Sequence, residues 1–280
     1  MKSTRQDLMV TICGAVTSLL TSLLVVWLEQ TFGLSIYGFT PPLGALLCGG
    51  VAASGYYAGY RFFNHKPKPI MLLNMVAISL GTYFLIQYLS YSKAMVEGER
   101  VSDLISFGRY WDIVTTNQVV QLNMRGRKVG DAVELGQWGY LYSLLQVGGF
   151  ALGGWAVYRI LSSQIYCDKC SLYLSSNGSA KRYTHNPEAL MYFLLKVSQL
   201  FDEGKYAEAI VLHASEGWGS VGKDTDLMTE VNLKYCKKCG INHFGMEVKK
   251  RDGKGNWNAV DNMSFAAFTD ARLALVQKNS

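Results

Sequence analysis

The chain has 280 residues, 49% of them hydrophobic and 17% charged, against the roughly 25% charge usual in soluble domains. The deficit lies between Leu8 and Leu161, and from Ser162 onward the composition is that of ordinary soluble protein, so a wholly soluble fold is excluded and a domain boundary is predicted near Ser162. The net charge of +6 is modest and says nothing about fold.

Four segments are predicted to span a membrane: Leu8 to Leu28, Leu43 to Phe63, Ile70 to Ser90 and Gly139 to Leu161. About 20 residues at a rise of about 1.5 Å cover a hydrocarbon core of about 30 Å. None of the four contains Asp, Glu, Lys or Arg before its last turn. A segment in lipid must satisfy its own backbone hydrogen bonds, so each is predicted to be a helix, and residues 1–161 a four-helix transmembrane domain. The first segment follows Lys2 and Arg5, as a signal peptide would. Its apolar stretch is too long for one and no small-x-small cleavage site follows Trp27, so it is read as retained.

Basic residues in short loops set the orientation. Lys2 and Arg5 precede the first segment, Arg61, Lys66 and Lys68 lie between the second and third, and Arg159 ends the fourth. The loop from Glu29 to Pro42 has neither Lys nor Arg. Both termini are therefore expected in the cytoplasm of a plasma membrane or its equivalent, with residues 91–138 as an external loop. The pairs Gly50/Ser54, Gly55/Gly59 and Gly149/Gly153 let helix backbones approach, either within one bundle or at a homodimer seam. Asn74, Gln87 and Gln146 are the amides within the spans, where Cys13 and Cys48 act as small apolar residues. No carboxylate or amine lies deep in them, which argues against a proton-coupled transporter.

Within the external loop, Ser102 and Asp103 suit the start of a short interfacial helix carrying Leu104, Ile105, Trp111, Ile113 and Val114. Val120, Leu122 and Met124 then alternate with polar residues, as in a strand. Trp111, Asp112 and Glu134 could line a ligand site, though nothing in their spacing demands one.

The strongest motif is Cys167-Asp-Lys-Cys170 together with Cys236-Lys-Lys-Cys239-Gly240. Two thiolates three positions apart can bite one tetrahedral ion, and two such pairs make a four-cysteine site with no open position, the structural zinc arrangement. Gly240 suits the tight turn of such a knuckle because it tolerates positive φ. Iron in the same cage would make an electron carrier. Disulfides need an oxidising compartment, and a thioredoxin-like pair needs a βαβ setting that the sequence does not offer. The paired knuckles resemble those of zinc ribbons and rubredoxins, a likeness that covers little more than the two motifs. The 65 residues between the pairs exceed a minimal ribbon and must fold as an insertion.

That insertion is predicted to hold a helical hairpin at about 186–215. Thr184 or Asn186 caps it and Pro187 sits in the first turn. Leu190, Phe193, Leu194, Val197, Leu200 and Phe201 recur on one face. Gly204 breaks the run, and Tyr206, Ala209, Ile210 and His213 belong to the second helix. The stretch from Glu203 to Ala209 resembles the inter-helix turn of a tetratricopeptide repeat, in a single copy. Residues 216–226 form a Gly-rich loop without a phosphate-binding pattern. Thr229 to Tyr235, Asn242 to Lys250 and Trp257 to Phe268 read as strands. His185, His213 and His243 are read as surface or core residues, because four thiolates already fill a metal site. Lys234 to Lys254 is rich in basic residues and offers Lys237, Lys238, Lys249 and Lys250 as binding candidates. The stretch reads first as a plain solvated face; as a binding surface it could contact a protein or anionic lipid, with nucleic acid least favoured.

The expected architecture is an α-helical membrane bundle of four transmembrane helices, followed over residues 162–280 by a small α+β cytoplasmic zinc-ribbon-like domain with a helical insertion. No nucleophile–base pair and no paired carboxylates at useful spacing point to an enzyme. The expected function is non-enzymatic: display of a four-cysteine Zn2+ domain for protein–protein contact at the membrane face. The alternatives are a small transporter or channel subunit, or a membrane-bound electron carrier with iron.

Overall fold

A computed structural model describes residues 2–32, 43–117, 119–120, 123–124, 127–128, 133–215 and 225–270. The chain divides into two compact units, Met1–Gln164 and Ile165–Ser280. Eight helices lie among the described residues.

The first unit is built on α1 (Lys2–Phe32), α2 (Leu43–Phe62), α3 (Ile70–Lys93) and α6 (Trp138–Ser162). Three of these, α1, α3 and α6, are long and apolar enough to cross a membrane. The fourth predicted segment is helical where expected, but Gly44, Gly49, Gly50, Gly55 and Gly59 and its tyrosines leave α2 less apolar than the others. α2 packs against each of α1, α3 and α6, and glycines of α2 lie at these contacts. A Cβ added at Gly49 would overlap the backbone of Phe150, one at Gly55 the carbonyl of Cys13, and one at Gly153 the carbonyl of Leu46. The small residues thus serve helix approach inside one chain.

Hydroxyls bind the same helices from within. Ser18 and Thr82 share a hydrogen bond of 2.7 Å, Thr17 donates to the Ala52 carbonyl at 2.7 Å, and Ser79 donates to the Gly49 carbonyl at 3.1 Å. Gln87 and Gln146 are buried among them. Polar contacts also mark the two ends. At one, Asp7 meets His65 at 2.8 Å and Lys68 at 2.9 Å, and Arg61 donates to Gln164 at 3.3 Å. At the other, Ser90 donates to Glu29 at 3.0 Å. The start of α1, the turn between α2 and α3, and the end of α6 therefore share one end of the bundle.

At the opposite end, β1 (Met95–Val96) and β2 (Glu99–Arg100) form a short ribbon, followed by α4 (Val101–Leu104) and α5 (Phe107–Thr116). The expected single helix is broken at Ile105 and Ser106, both extended. The helices are fastened to α3: the Tyr91 hydroxyl donates to the Ile105 carbonyl at 2.7 Å, and Trp111 meets Phe84 edge-on at 6.0 Å. Asp112 accepts a hydrogen bond from Tyr140. The expected strand over 120–124 appears instead as two pairings of two residues each, β3 (Val119–Val120) with β6 (Val133–Glu134) and β4 (Asn123–Met124) with β5 (Arg127–Lys128). Leu122 and the Glu134 side chain lie outside the described residues.

The second unit opens with the hairpin β7 (Tyr166–Cys167) and β8 (Leu172–Tyr173). It continues through β9 (Ser175–Thr184), α7 (Pro187–Asp202), α8 (Tyr206–Ser215), β10 (Leu227–Tyr235), β11 (Asn242–Arg251) and β12 (Trp257–Thr269). The four long strands form an antiparallel sheet in the order β12-β11-β10-β9. Asn186 caps α7 with its side-chain oxygen, accepting from the N–H groups of Glu188 and Ala189, and Gly204 makes the turn to α8 at φ +71°. Leu190, Phe193, Leu194, Val197 and Ile210 of the hairpin pack on Val231 and Leu233 of β10 and on Phe244, Met246 and Val248 of β11. The alternation of those strand residues puts every second side chain on this face. The hairpin therefore covers one face of a sheet.

Candidate metal centre

Each cysteine pair sits in the turn of a hairpin. Cys167 ends β7 and Cys170 lies in the turn to β8, while Cys236 and Cys239 lie in the turn from β10 to β11. The two turns share a left-handed residue after the second cysteine. Their backbone hydrogen bonds differ in span, from the Cys170 N–H to the Cys167 carbonyl at 3.3 Å and from the Gly240 N–H to the Cys236 carbonyl at 2.9 Å. The residue after each second cysteine is left-handed, Ser171 at φ +52° and Gly240 at φ +75°. Gly240 is the one expected from sequence. Ser171 holds the equivalent position at a conformational cost that glycine avoids.

The hairpins bring all four sulfurs together, with Sγ atoms of Cys167, Cys170, Cys236 and Cys239 within 4.8 Å of one another. The Sγ atoms of Cys167 and Cys239 are 3.7 Å apart. A tetrahedral ion bound by thiolates at about 2.3 Å has sulfur–sulfur edges of about 3.8 Å. Four cysteines so placed could hold a metal ion. Cys167 and Cys236 are buried and Cys239 is exposed. Ile165, Leu172, Leu174 and Ile241 close around the group as a small apolar cluster.

Electrostatics favours a cation here. Burial raises the pKa of the Cys236 thiol, but the N–H groups of Cys239 and Lys238 point at it and bring it down to about 7. Cys170 is pushed up to about 12, first by its hydrogen bond with the Cys239 thiol and then by burial. One thiolate thus suppresses ionisation of its neighbours, and a divalent cation is what allows several to ionise together.

The histidines stand apart from this cluster. His243 packs edge-on against Phe268 at 4.9 Å, and His185 is exposed. His213 is buried, 3.0 Å from the Thr229 hydroxyl. Among the candidate lysines, Lys237 and Lys238 are exposed in the second knuckle and Lys250 is exposed near the end of β11. Lys249 differs. Its Nζ is 2.5 Å from Glu230 on the neighbouring strand and 3.7 Å from Glu247 on its own, while Lys181 approaches Glu230 from the other side at 3.7 Å. Sequence alone missed this pairing, because Lys249 reaches Glu230 only through the register of β10 on β11. The Gly-rich loop over 216–224 lies outside the described residues.

No known protein family matches the chain, and no curated protein or solved structure matches it either. The functional reading rests on the bundle and on the four thiols.

Proposed function

We propose that the protein is a four-helix membrane anchor that presents a zinc-stabilised, ribbon-like α+β domain in the cytoplasm for protein–protein contact. The observation that carries the reading is the gathering of four cysteine sulfurs within 4.8 Å of one another. Four thiolates fill a tetrahedral ion and leave it no position for an activated water or a substrate. The ion then acts as scaffold, and function falls to the surface it holds in place. Lys237 and Lys238 project from the knuckle itself and suit an acidic partner or anionic lipid, with Lys250 as a further candidate.

Zinc is the preferred ion because a closed cage of four thiolates is the structural zinc arrangement, and iron in the same cage is the alternative. Membrane spanning by all four helices is supported by the packing of α2 against α1, α3 and α6 and by its exposed Leu43, Leu47 and Val51. Cytoplasmic placement of the second unit is supported by Arg5, Arg61, Lys68 and Arg159, which gather at the end of the bundle where α6 finishes.

Metal analysis of the full chain in mild detergent is the direct test. One zinc per chain, lost in Cys236→Ser and followed by protease sensitivity confined to the second unit, is the expected result. A visible spectrum of iron–thiolate would convert the reading to an electron carrier. A metal-free chain that resists protease equally well would end it. Replacing Lys237, Lys238 and Lys250 with Gln should keep the zinc and weaken partner capture from native membranes, and added salt should mimic that loss.

A further inference from the structure

The α7–α8 hairpin is apolar on both sides. Its inward stripe forms the core on the sheet. Its outward face carries Met191, Tyr192 and Leu195 of α7 and Val211 of α8, which are 50%, 60%, 65% and 53% exposed. Beside them an open groove of about 550 Å³ runs between the helices, lined by Leu200, Ala207 and Leu212. The groove also carries one charge from each helix, Lys196 of α7 and Glu208 of α8. Lys196 lies over the Tyr192 ring at 4.3 Å, and Glu208 acts on Lys205, which itself pairs with Glu203 at 2.7 Å. Large apolar side chains grouped on a water-facing helix pair mark an interaction surface.

We propose that this face joins two copies of the chain about a two-fold axis, with the two hairpins packed as a four-helix bundle. In a two-fold contact each residue pair occurs twice, with i meeting j and j meeting i. The groove carries the charges such a contact needs: Lys196 of one copy faces Glu208 of the partner subunit, and Glu208 faces the partner's Lys196. Leu195 and Val211 fill the centre, where apolar side chains lose most water. A lipid surface would call for a basic rim. This rim mixes Lys196 and Lys205 with Glu188, Glu203 and Glu208, which fits a like surface better than a membrane.

The test uses the full chain. A photo-crosslinking residue at Val211 in native membranes should give a product of twice the chain mass. Light scattering in mild detergent should show a dimer that dissociates on dilution. Lys196→Glu and Glu208→Lys should each weaken association about tenfold, since two attractive contacts become two repulsive ones. The double variant should restore it. Leu195→Asp should give a monomer, with metal content and protease pattern unchanged as evidence of folding. The proposal is overturned by a chain that stays monomeric, or by a dimer indifferent to the single reversals, which would be held elsewhere. Crosslinks from Val211 to lipid or to a different protein would overturn it too.

Discussion

His213 offers the sharpest quantitative test of the fold that carries the metal centre. It lies between the hairpin and the sheet, 3% exposed, its ring 6.0 Å from that of Phe193 and its Nε2 3.0 Å from the Thr229 hydroxyl. Burial, and then the charge of Arg182, lower its pKa from the ordinary 6.5 to about 4. The folded protein therefore binds fewer protons than the unfolded chain between those two values. The contribution to stability is complete above the unfolded value of 6.5 and is lost as pH falls toward about 4. At about 1.4 kcal/mol per pH unit the loss totals on the order of 3 kcal/mol. His213→Leu removes this dependence. It also leaves the buried Thr229 hydroxyl without the ring, at about 1–3 kcal/mol. The variant should thus be weaker at pH 7 and gain on the wild type steadily down to pH 4. Pulse proteolysis of the full chain in detergent across a urea series reads this directly, with the band of the second unit as the signal. Metal release on acidification affects both chains, so the difference between them is the diagnostic quantity. A difference that does not change between pH 7 and 4 would refute the buried, neutral histidine.

Other perturbations test separate parts of the structure. Gly240→Ala should destabilise the second knuckle by about 1–2 kcal/mol because its φ is +75°. Ser171→Gly should leave the first knuckle unharmed or stabilise it by up to about 1 kcal/mol, and the two changes moving denaturation midpoints in the same direction would contradict the shared turn. In the bundle, Gly153→Leu should lower the melting temperature in detergent sharply, since even a Cβ there overlaps α2, while Gly148→Ala, with nothing within 4 Å, should be neutral or stabilising. Lys249→Gln should cost about 1 kcal/mol through Glu230, which is left half-buried between fewer cations, whereas Lys250→Gln should change stability by less than about 0.5 kcal/mol. Equal effects of those two lysine changes in chemical denaturation would mean that the cross-strand pair does not form.

The first unit was legible wherever an apolar run is long enough to cross a membrane. A helix facing lipid needs an uninterrupted apolar run, so α1, α3 and α6 could be read to within a few residues, apart from the longer start of α1. The segment of α2 was also read as helical, but its glycines tell of neighbours more than of lipid: Gly49 needs Phe150, and Gly55 needs Cys13. Docking of α4 and α5 was not legible. It depends on Tyr91 and Trp111 meeting groups distant in sequence, and no local period encodes that.

In the second unit the cysteine spacing carried the candidate site, because a two-residue gap already fits a hairpin turn. The paired strands β10 and β11 were readable from alternation. The edge strand β9 was not, since Ser175-Ser-Asn-Gly-Ser has little strand propensity and is held by its pairing with β10. Its register supplies Lys181 directly opposite Glu230, which on its other side faces Glu247. Like charges opposed across a ladder are unfavourable, so Lys181 and Lys249 are needed beside Glu230, and Lys249 is engaged where sequence suggested a binding group. The hairpin gave a partial reading for a related reason. A search for one apolar stripe finds Leu190, Phe193, Leu194 and Val197 and stops there. Met191, Tyr192 and Leu195 form a second stripe on the same helix, turned away from the sheet. A helix that is apolar on both faces is ordinarily buried on both. By that rule the outward face of α7 calls for a cover, and the proposed second copy would supply one.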